Sequence, residues 1–102
     1  MPIYKTARFR VRAEALDKCL QAIQAFIDYI SENEPGTQIY SALHEVGDET
    51  SFMHYFIFDN PEAEEIHRTS EGVKRFTEIL YPETIDGVEF TDYKLVASTN
   101  EQ

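Results

Sequence analysis

The sequence predicts an α+β fold in which four strands and two helical regions follow one another in the order βαββαβ. Three observations lead to this prediction. Apolar and polar residues alternate in the first segment, which is typical of a strand. Two longer segments carry apolar residues at the three- and four-residue spacing of amphipathic helices. Between them lie two apolar runs joined by a short polar stretch, which indicates a hairpin.

The first half of the chain supplies one strand and one long helix. Residues 3–12 alternate between an apolar face that includes Ala7 and Phe9 and a basic face, so they are predicted to form the first strand. From residue 14 the period changes to that of a helix, which is predicted to end at Pro35-Gly36. The apolar stripe of this helix consists of Leu16, Cys19, Leu20, Ile23, Phe26, Ile27 and Ile30.

The middle of the chain is predicted to be a hairpin that carries two histidines. Residues 38–46 and 52–58 are the expected strands, and the polar residues 47–51 form the turn between them. This turn would place His44 directly opposite His54 on one face of the sheet. Two imidazoles could ligate a metal, but no third ligand occurs at a suitable spacing, so we predict no metal site. We interpret the two histidines as a packed cross-strand pair that faces a dimer partner.

A second helical region and a last strand complete the predicted order. The helix is expected to begin after Asn60, a preferred capping residue, and to end at Pro82. Ser70 can cap a new helix, so the region is expected to break there. A turn at 86–87 then leads into a last strand over 88–97. The inward stripe of the helical region contains Ala63, Ile66, His67, Ser70, Val73, Phe76, Thr77 and Leu80.

Three of the four predicted strands are apolar on both faces. In the third strand, Met53, Tyr55 and Ile57 alternate with further apolar residues. A ferredoxin-like, four-stranded antiparallel sheet with both helices on one face leaves its other face to water, where polar residues are expected. An uncovered apolar face of this size would be an unusually large exposed patch. We therefore predict a homodimer in which two such sheets pack face to face as a dimeric α+β barrel.

Arg8 and Arg10 lie on the basic face of the first strand, opposite Ala7 and Phe9. Because the apolar side is expected to face the helices, the two arginines should lie on the dimer side. We expect them to pair with Asp or Glu across the subunit interface. Binding of a carboxylate or phenolate group of a substrate is the alternative.

Length and charge limit the classes of function. The 102 residues are expected to form one domain, 1–102, with a frayed tail at 98–102. Nineteen acidic and nine basic residues give a net charge of −10, which disfavours nucleic acid and anionic membranes as partners. No apolar run could span a membrane and no signal peptide is evident, so a cytoplasmic protein is expected. Phosphate-binding glycine loops and nucleophile–base pairs are not recognisable either.

His67 is the main candidate for a catalytic residue. It lies on the inward stripe, between helix and sheet, where an imidazole can accept a proton from a phenol or quinol near neutral pH. A hydrogen-bonded structural histidine at a helix break is the alternative. The predicted walls of a substrate pocket around it are Ala7, Phe9, Phe26, Ile30, Phe76 and Leu80.

The order of residues around His67 carries a resemblance to a known family. An apolar strand is followed by residues 59–63 (Asp-Asn-Pro-Glu-Ala), then 66–70 (Ile-His-Arg-Thr-Ser), then Val73 and Phe76. This order resembles the antibiotic biosynthesis monooxygenase-like family of dimeric α+β barrels, in which the helix carries an Ala-His-x-x-Ser signature followed by aromatic residues. The closing Tyr-Lys-Leu at 93–95 is similar to the last strand of that family.

The resemblance implies a head-on homodimer with a pocket in each subunit between the helices and its own sheet. Some members oxygenate phenols or quinols with dioxygen and no cofactor, some degrade haem, and many have no known activity. For this chain it implies a cofactor-independent monooxygenase acting on a small aromatic, phenolic or quinol-type substrate. His67 would be the base or the group that orients the substrate, and no cofactor is expected.

The sequence also departs from the active members of that family. It contains no tryptophan, and Phe56 and Phe58 stand where many members carry Glu and Tyr or Trp. Ala7 and Thr77 stand where the haem-degrading branch has Asn and His, which argues against haem degradation. These departures favour a second hypothesis, a non-catalytic dimeric module that binds a small apolar ligand or supports assembly.

Overall fold

The computed structural model describes residues 1–100. The elements are β1 (Ile3–Val11), α1 (Leu16–Asn33), β2 (Thr37–Glu45), β3 (Asp48–Phe58), α2 (Pro61–Arg68), α3 (Glu71–Leu80) and β4 (Thr84–Tyr93). Short 3-10 turns lie at Ala13–Ala15 and Tyr81–Glu83. The strands form one antiparallel sheet in the order β2-β3-β1-β4, which confirms the predicted fold class and element order.

The alternation of β1 determines which face of the sheet is covered. Ala7, Phe9 and Val11 are buried beneath the helices, as the sequence pattern predicts. Arg8 and Arg10 are exposed on the opposite face, which no helix covers. We call that uncovered side, which also carries Ile39, Leu43, Met53, Tyr55 and Ile57, the open face of the sheet.

Side-chain caps explain why the second helical region is divided in two. The side chain of Asn60 accepts a hydrogen bond from the Ala63 N–H at 2.9 Å, which starts α2. The hydroxyl of Ser70 accepts one from the Val73 N–H at 3.0 Å, which starts α3. The predicted break at Ser70 is therefore confirmed.

The hairpin between β2 and β3 is tighter than the sequence pattern predicts. β3 begins at Asp48, because the Asp48 carboxylate accepts hydrogen bonds from the hydroxyls of Thr50 and Ser51 and supports these polar residues within the strand. Only residues 46–47 remain as the loop, where Gly47 takes a positive φ of 96°. The predicted turn over 47–51 is thus wrong.

This tighter turn also changes the pairing of the two histidines. His44 pairs with Phe52 and His54 pairs with Ala42, so the prediction that the histidines lie directly opposite each other is wrong. Their predicted position on the dimer side is wrong as well. His54 shares the helix-facing side of β3 with the buried Phe52 and Phe56, and only 1% of its surface is exposed.

The last strand begins and ends four residues earlier than predicted. Asp86 and Gly87 have φ values of 66° and 77°, but they form a bulge within β4, where the pairing with β1 shifts register, rather than a turn before it. β4 ends at Tyr93, which pairs with Tyr4 near the start of β1. Residues 98–100 are exposed, and the rest of the predicted tail, 101–102, lies outside the described residues.

The core lies between the helices and the sheet. Its largest cluster comprises Phe9, Val11, Ala15, Cys19, Ala22, Ile23, Phe26, Ile30, Phe52, Phe76 and Leu80. Ile66 was predicted to point inward but is 58% exposed, because Ala63 and His67 occupy the inward side of α2. Within residues 1–100, no helix is long and apolar enough to cross a membrane.

Candidate functional site

A cavity of about 430 Å³ lies between the helices and the sheet. Every helix and every strand contributes at least one residue to its lining. The aromatic part of the lining consists of Phe26, Tyr40, Phe56, Phe58, Phe76, Tyr81 and Phe90, together with the imidazoles of His54 and His67. A pocket of this size with mostly apolar walls and a few convergent polar groups is typical of a small-molecule site.

Four of the six predicted wall residues line this cavity. They are Ala7, Phe26, Phe76 and Leu80. The other two lie elsewhere in the core. Phe9 stacks on Phe52 with ring centroids 5.2 Å apart, and Ile30 packs in the main core cluster at the carboxyl-terminal half of α1.

His67 lines the cavity and forms a buried pair with a carboxylate. Its Nδ1 lies 2.9 Å from Oε1 of Glu34, which follows the last residue of α1. The hydroxyl of Thr37 donates to the same carboxylate oxygen at 2.8 Å. Because a carboxylate only accepts hydrogen bonds, Nδ1 carries the proton in this pair. With the Nδ1 proton directed at Glu34, Nε2 is the ring nitrogen left to accept a proton from a ligand.

The carboxylate of Glu34 is held in its ionised form. Burial alone would raise the pKa of Glu34, but the hydrogen bonds from His67 and from the hydroxyl of Thr37 outweigh it, so the pKa lies below its usual range. The second oxygen, Oε2, is buried and has no partner among the described residues. An ionised carboxylate behind an imidazole stabilises the imidazolium that forms when Nε2 takes a proton.

His54 forms the second polar pair at the cavity. Its Nδ1 lies 2.8 Å from the hydroxyl oxygen of Tyr40. Burial lowers the pKa of His54 to about 4 and raises the pKa of Tyr40 well above its usual value. Both groups are therefore neutral at pH 7. Nε2 of His54 has no partner among residues 1–100.

A continuous aromatic wall connects the two histidines. Phe26 and Phe76 stack with ring centroids 4.3 Å apart. The His67 ring lies 5.6 Å from Phe26, and the His54 ring lies 6.0 Å from Phe76. The Tyr40 ring is 5.3 Å from His54 and 5.8 Å from His67. A planar ligand in the cavity would therefore meet aromatic surfaces and two imidazoles with different hydrogen-bond partners.

An ion-paired lysine lies at the edge of the cavity lining. Lys5 Nζ is 2.6 Å from a carboxylate oxygen of Glu64 and 3.2 Å from one of Asp92. Burial works to lower the pKa of Lys5, but the two carboxylates outweigh it and the net change is upward. Lys5 interrupts the apolar alternation of β1 because it faces these carboxylates on α2 and β4.

Sequence reasoning missed Glu34 and placed His54 on the wrong face. Glu34 and His67 are 33 residues apart, and no local pattern connects a helix end with the middle of another helix. For His54 a signal was present, because the alternation of 52–58 puts it on the same side as Phe52 and Phe56. Within residues 1–100, no group of three or more His, Cys, Asp or Glu could hold a metal ion.

Comparisons with known proteins give a consistent result. A family model described as antibiotic biosynthesis monooxygenase matches residues 2–79. No curated protein matches the chain. Among solved structures, a Bacteroides thetaiotaomicron protein named as an antibiotic biosynthesis monooxygenase superimposes with a TM-score of 0.89 at 16% identity, covering 99% of this chain and 95% of that chain.

Two further structures share this fold over nearly the whole chain. Rv0793 from Mycobacterium tuberculosis gives a TM-score of 0.87 at 17% identity, with 98% of this chain and 100% of that chain covered. A mutant of SnoaB, a cofactor-independent oxygenase from Streptomyces nogalater, gives 0.82 at 14% identity, with 98% of each chain covered.

Proposed function

The chain belongs to the antibiotic biosynthesis monooxygenase family, and from this membership we propose that it is a cofactor-independent monooxygenase. Its substrate is a small aromatic, phenolic or quinol-type compound that binds in the cavity between the helices and the sheet. The observation that carries the proposal is the buried His67–Glu34 pair, which turns Nε2 of an imidazole in an aromatic cavity into a proton acceptor.

The reaction begins with proton transfer to His67. Nε2 takes the hydroxyl proton of the substrate, and Glu34 stabilises the resulting imidazolium. The substrate anion gives one electron to dioxygen, and the two radicals combine to form a carbon–oxygen bond. His67 returns the proton to the peroxide, which loses water and leaves a carbonyl group. In the net reaction, a CH₂ group of the substrate's keto form is oxidised to a carbonyl group by one molecule of dioxygen, and one molecule of water is released.

The surroundings of His67 support this chemistry. The aromatic walls exclude water from the substrate anion, and the aromatic faces match a planar ring. The carboxylate of Glu34 remains ionised, because its pKa is lowered by His67 and Thr37 despite burial. An imidazole whose Nδ1–H is held by a carboxylate presents Nε2 to the substrate in a fixed orientation.

Oxygen uptake tests the proposal. The metal-stripped protein is mixed with a panel of hydroquinones, polyphenols and anthrone-type compounds, with protein-free samples to subtract autoxidation. We expect uptake above the autoxidation rate and a loss of at least about 100-fold in His67→Gln. His44→Gln, which changes an exposed histidine, is the matched control and should retain activity. Equal uptake by the native protein and His67→Gln would exclude His67 as the base.

A non-catalytic ligand-binding module is the second candidate function. Phe56 and Phe58 line the cavity and leave that side without a group that could hydrogen-bond a reacting oxygen. A module of this kind would bind aromatic compounds without consuming oxygen. Saturable binding by native protein that shows no uptake above autoxidation across the panel would favour it.

The open face of the sheet supports a homodimer as the working form. Ile39, Leu43 and Tyr93 are exposed there although they are large and apolar or aromatic. Arg8 lies opposite Glu89 in the pairing of β1 with β4, so the same face carries both charge signs. A second copy packed face to face would cover the apolar residues and pair the charges.

A further inference from the structure

The Tyr40–His54 pair is not used by the proposed proton transfer, yet it lies at the same cavity. Both residues line the cavity, and both are joined to the His67 side by aromatic contacts through Tyr40. Their hydrogen bond involves only Nδ1 of His54. Nε2 is a buried nitrogen without a partner among the described residues, which is an uncommon condition for a polar atom in a folded protein.

The tautomer of His54 follows from the number of buried donors and acceptors that each tautomer leaves without a hydrogen bond. If Tyr40 donates its hydroxyl proton to Nδ1, only the Nε2–H of His54 is left unpaired. If instead Nδ1 carries the proton and donates to Tyr40, both the hydroxyl proton and the lone pair of Nε2 are left unpaired. The first arrangement leaves fewer buried groups unsatisfied, so Nε2 carries the proton and Tyr40 fixes it there.

We propose that His54, positioned by Tyr40, is a second substrate-contacting residue whose Nε2–H donates a hydrogen bond to an acceptor oxygen of the ligand. Tyr40 is a positioning residue because it acts through the imidazole. The two histidines then have complementary roles, since Nε2 of His67 accepts a proton while Nε2 of His54 donates a hydrogen bond.

These roles define a class of ligand. It is an aromatic compound with two oxygen functions, an acidic hydroxyl for His67 and a carbonyl or phenolate oxygen for His54. A hydroxyaryl ketone and a hydroquinone both fit this description, whereas an aromatic hydrocarbon does not. The requirement for a hydroxyl group on the ligand rests on the proposed function. The requirement for an acceptor oxygen rests on the Tyr40–His54 geometry alone.

Nitrogen-15 NMR of the histidine side chains tests the donor without any ligand. The native protein is labelled at histidine, and His54→Gln assigns the resonances. We expect His54 to occupy the Nε2–H tautomer at pH 7, and Tyr40→Phe to shift it towards a mixture of tautomers because Nδ1 loses its donor. A His54 that occupies the Nδ1–H tautomer in the native protein would overturn the assignment.

Ligand binding tests the acceptor preference with two compounds of nearly identical shape. 6-Acetyl-2-naphthol carries a carbonyl where 6-isopropenyl-2-naphthol carries a CH₂ group. We expect the native protein to bind the acetyl compound about tenfold more tightly, the effect of one hydrogen bond to a buried donor. The preference, which is the ratio of the two affinities measured on the same variant, should fall below about twofold in His54→Phe.

Two further variants complete the binding experiment. His54→Gln retains an N–H donor and should keep part of the preference, whereas His67→Gln should keep all of it. An equal preference in the native protein and His54→Phe would overturn the proposal, and so would failure of the native protein to bind the acetyl compound. Thermal unfolding of His54→Phe and His54→Gln confirms that each variant is folded before binding is measured.

The binding experiment on His54 and the oxygen-uptake experiment on His67 can fail independently of each other. Oxygen uptake that depends on His67, without a carbonyl preference that depends on His54, would retain the monooxygenase and remove His54 from the ligand site. A tenfold carbonyl preference that depends on His54, without oxygen uptake on any quinol, would retain the ligand site and favour the binding module.

Discussion

Two buried histidines of this chain acquire different chemistry from their neighbours. His67 donates its Nδ1–H to an ionised carboxylate, which leaves Nε2 as the acceptor atom of the ring. His54 hydrogen-bonds the neutral hydroxyl of Tyr40 and packs against aromatic rings, and its burial there favours the uncharged imidazole. The difference arises from Glu34 and Tyr40, one at the end of a helix and the other in an edge strand.

Removal of the Glu34 carboxylate tests the buried pair at the residue scale. Glu34→Gln keeps a hydrogen-bond acceptor for His67 but no negative charge, so the imidazolium is no longer stabilised. We expect kcat for oxygen uptake to fall about 10- to 100-fold with little change in KM. Glu32→Gln, two residues earlier on the exposed side of α1, is the matched control. Equal kcat values for the two variants would show that Glu34 has no role in proton transfer.

The neutral state of His54 predicts a loss of stability in acid. Burial places the pKa of folded His54 at about 4, below the usual value near 6.5, so the unfolded chain binds more protons between these values. The free energy of unfolding should therefore decrease as the pH falls from about 6.5 to 4, by up to about 3 kcal/mol from this group. Urea unfolding at pH 7 and pH 4 measures the decrease.

A comparison of two variants isolates the contribution of His54 to that decrease. His54→Gln should lose less stability between the two pH values than the native protein, because glutamine does not titrate. His44→Gln, at an exposed position, should retain the native decrease. The same decrease in both variants would contradict the prediction.

At the scale of elements, a close backbone approach brings Glu34 and His67 together. The Cβ that an alanine would place at Gly36 lies 2.6 Å from Cβ of Ala63 on α2. The carbonyl of Gly36 also accepts a hydrogen bond from the Asp59 N–H at 2.8 Å, just before α2 begins. Glycine at position 36 therefore lets α2 pack directly on the connection that follows α1.

Gly36→Ala tests this packing. The added methyl group has to push α2 away from the connection, which lengthens the His67–Glu34 hydrogen bond. We expect a loss of about 1–3 kcal/mol in the free energy of unfolding, together with reduced oxygen uptake. Adding Ala63→Gly should restore part of the stability and part of the oxygen uptake, because it removes the other methyl group of the contact. A double variant with the same stability and oxygen uptake as Gly36→Ala alone would show that the contact with Ala63 does not cause the losses.

At the scale of the whole molecule, the sequence predicts the order of elements but not the tertiary contacts of the site. Helical and alternating periods are local, so β1 and α1 follow from them, and the capping preference of serine is local too, so the break at Ser70 follows from it. The register of the hairpin was wrong because the side-chain bonds of Asp48 keep polar residues within β3, and the bounds of β4 were wrong because its bulge depends on pairing with β1. Glu34 was missed for a related reason, since its burial depends on α2 folding over the end of α1.

The open face of the sheet leads to a prediction about assembly. Leu43 is 52% exposed on this face, and Ile66 is 58% exposed on the outer side of α2. The two residues are similarly apolar and similarly exposed, but only Leu43 lies in the proposed interface. Leu43→Glu would bury an unpaired charge between two sheets, and we expect it to weaken dimerisation by at least about 100-fold. Sedimentation equilibrium should then show a native dimer, a dimeric Ile66→Glu and a monomeric Leu43→Glu, whereas a monomeric native protein or a dimeric Leu43→Glu would exclude the face-to-face interface.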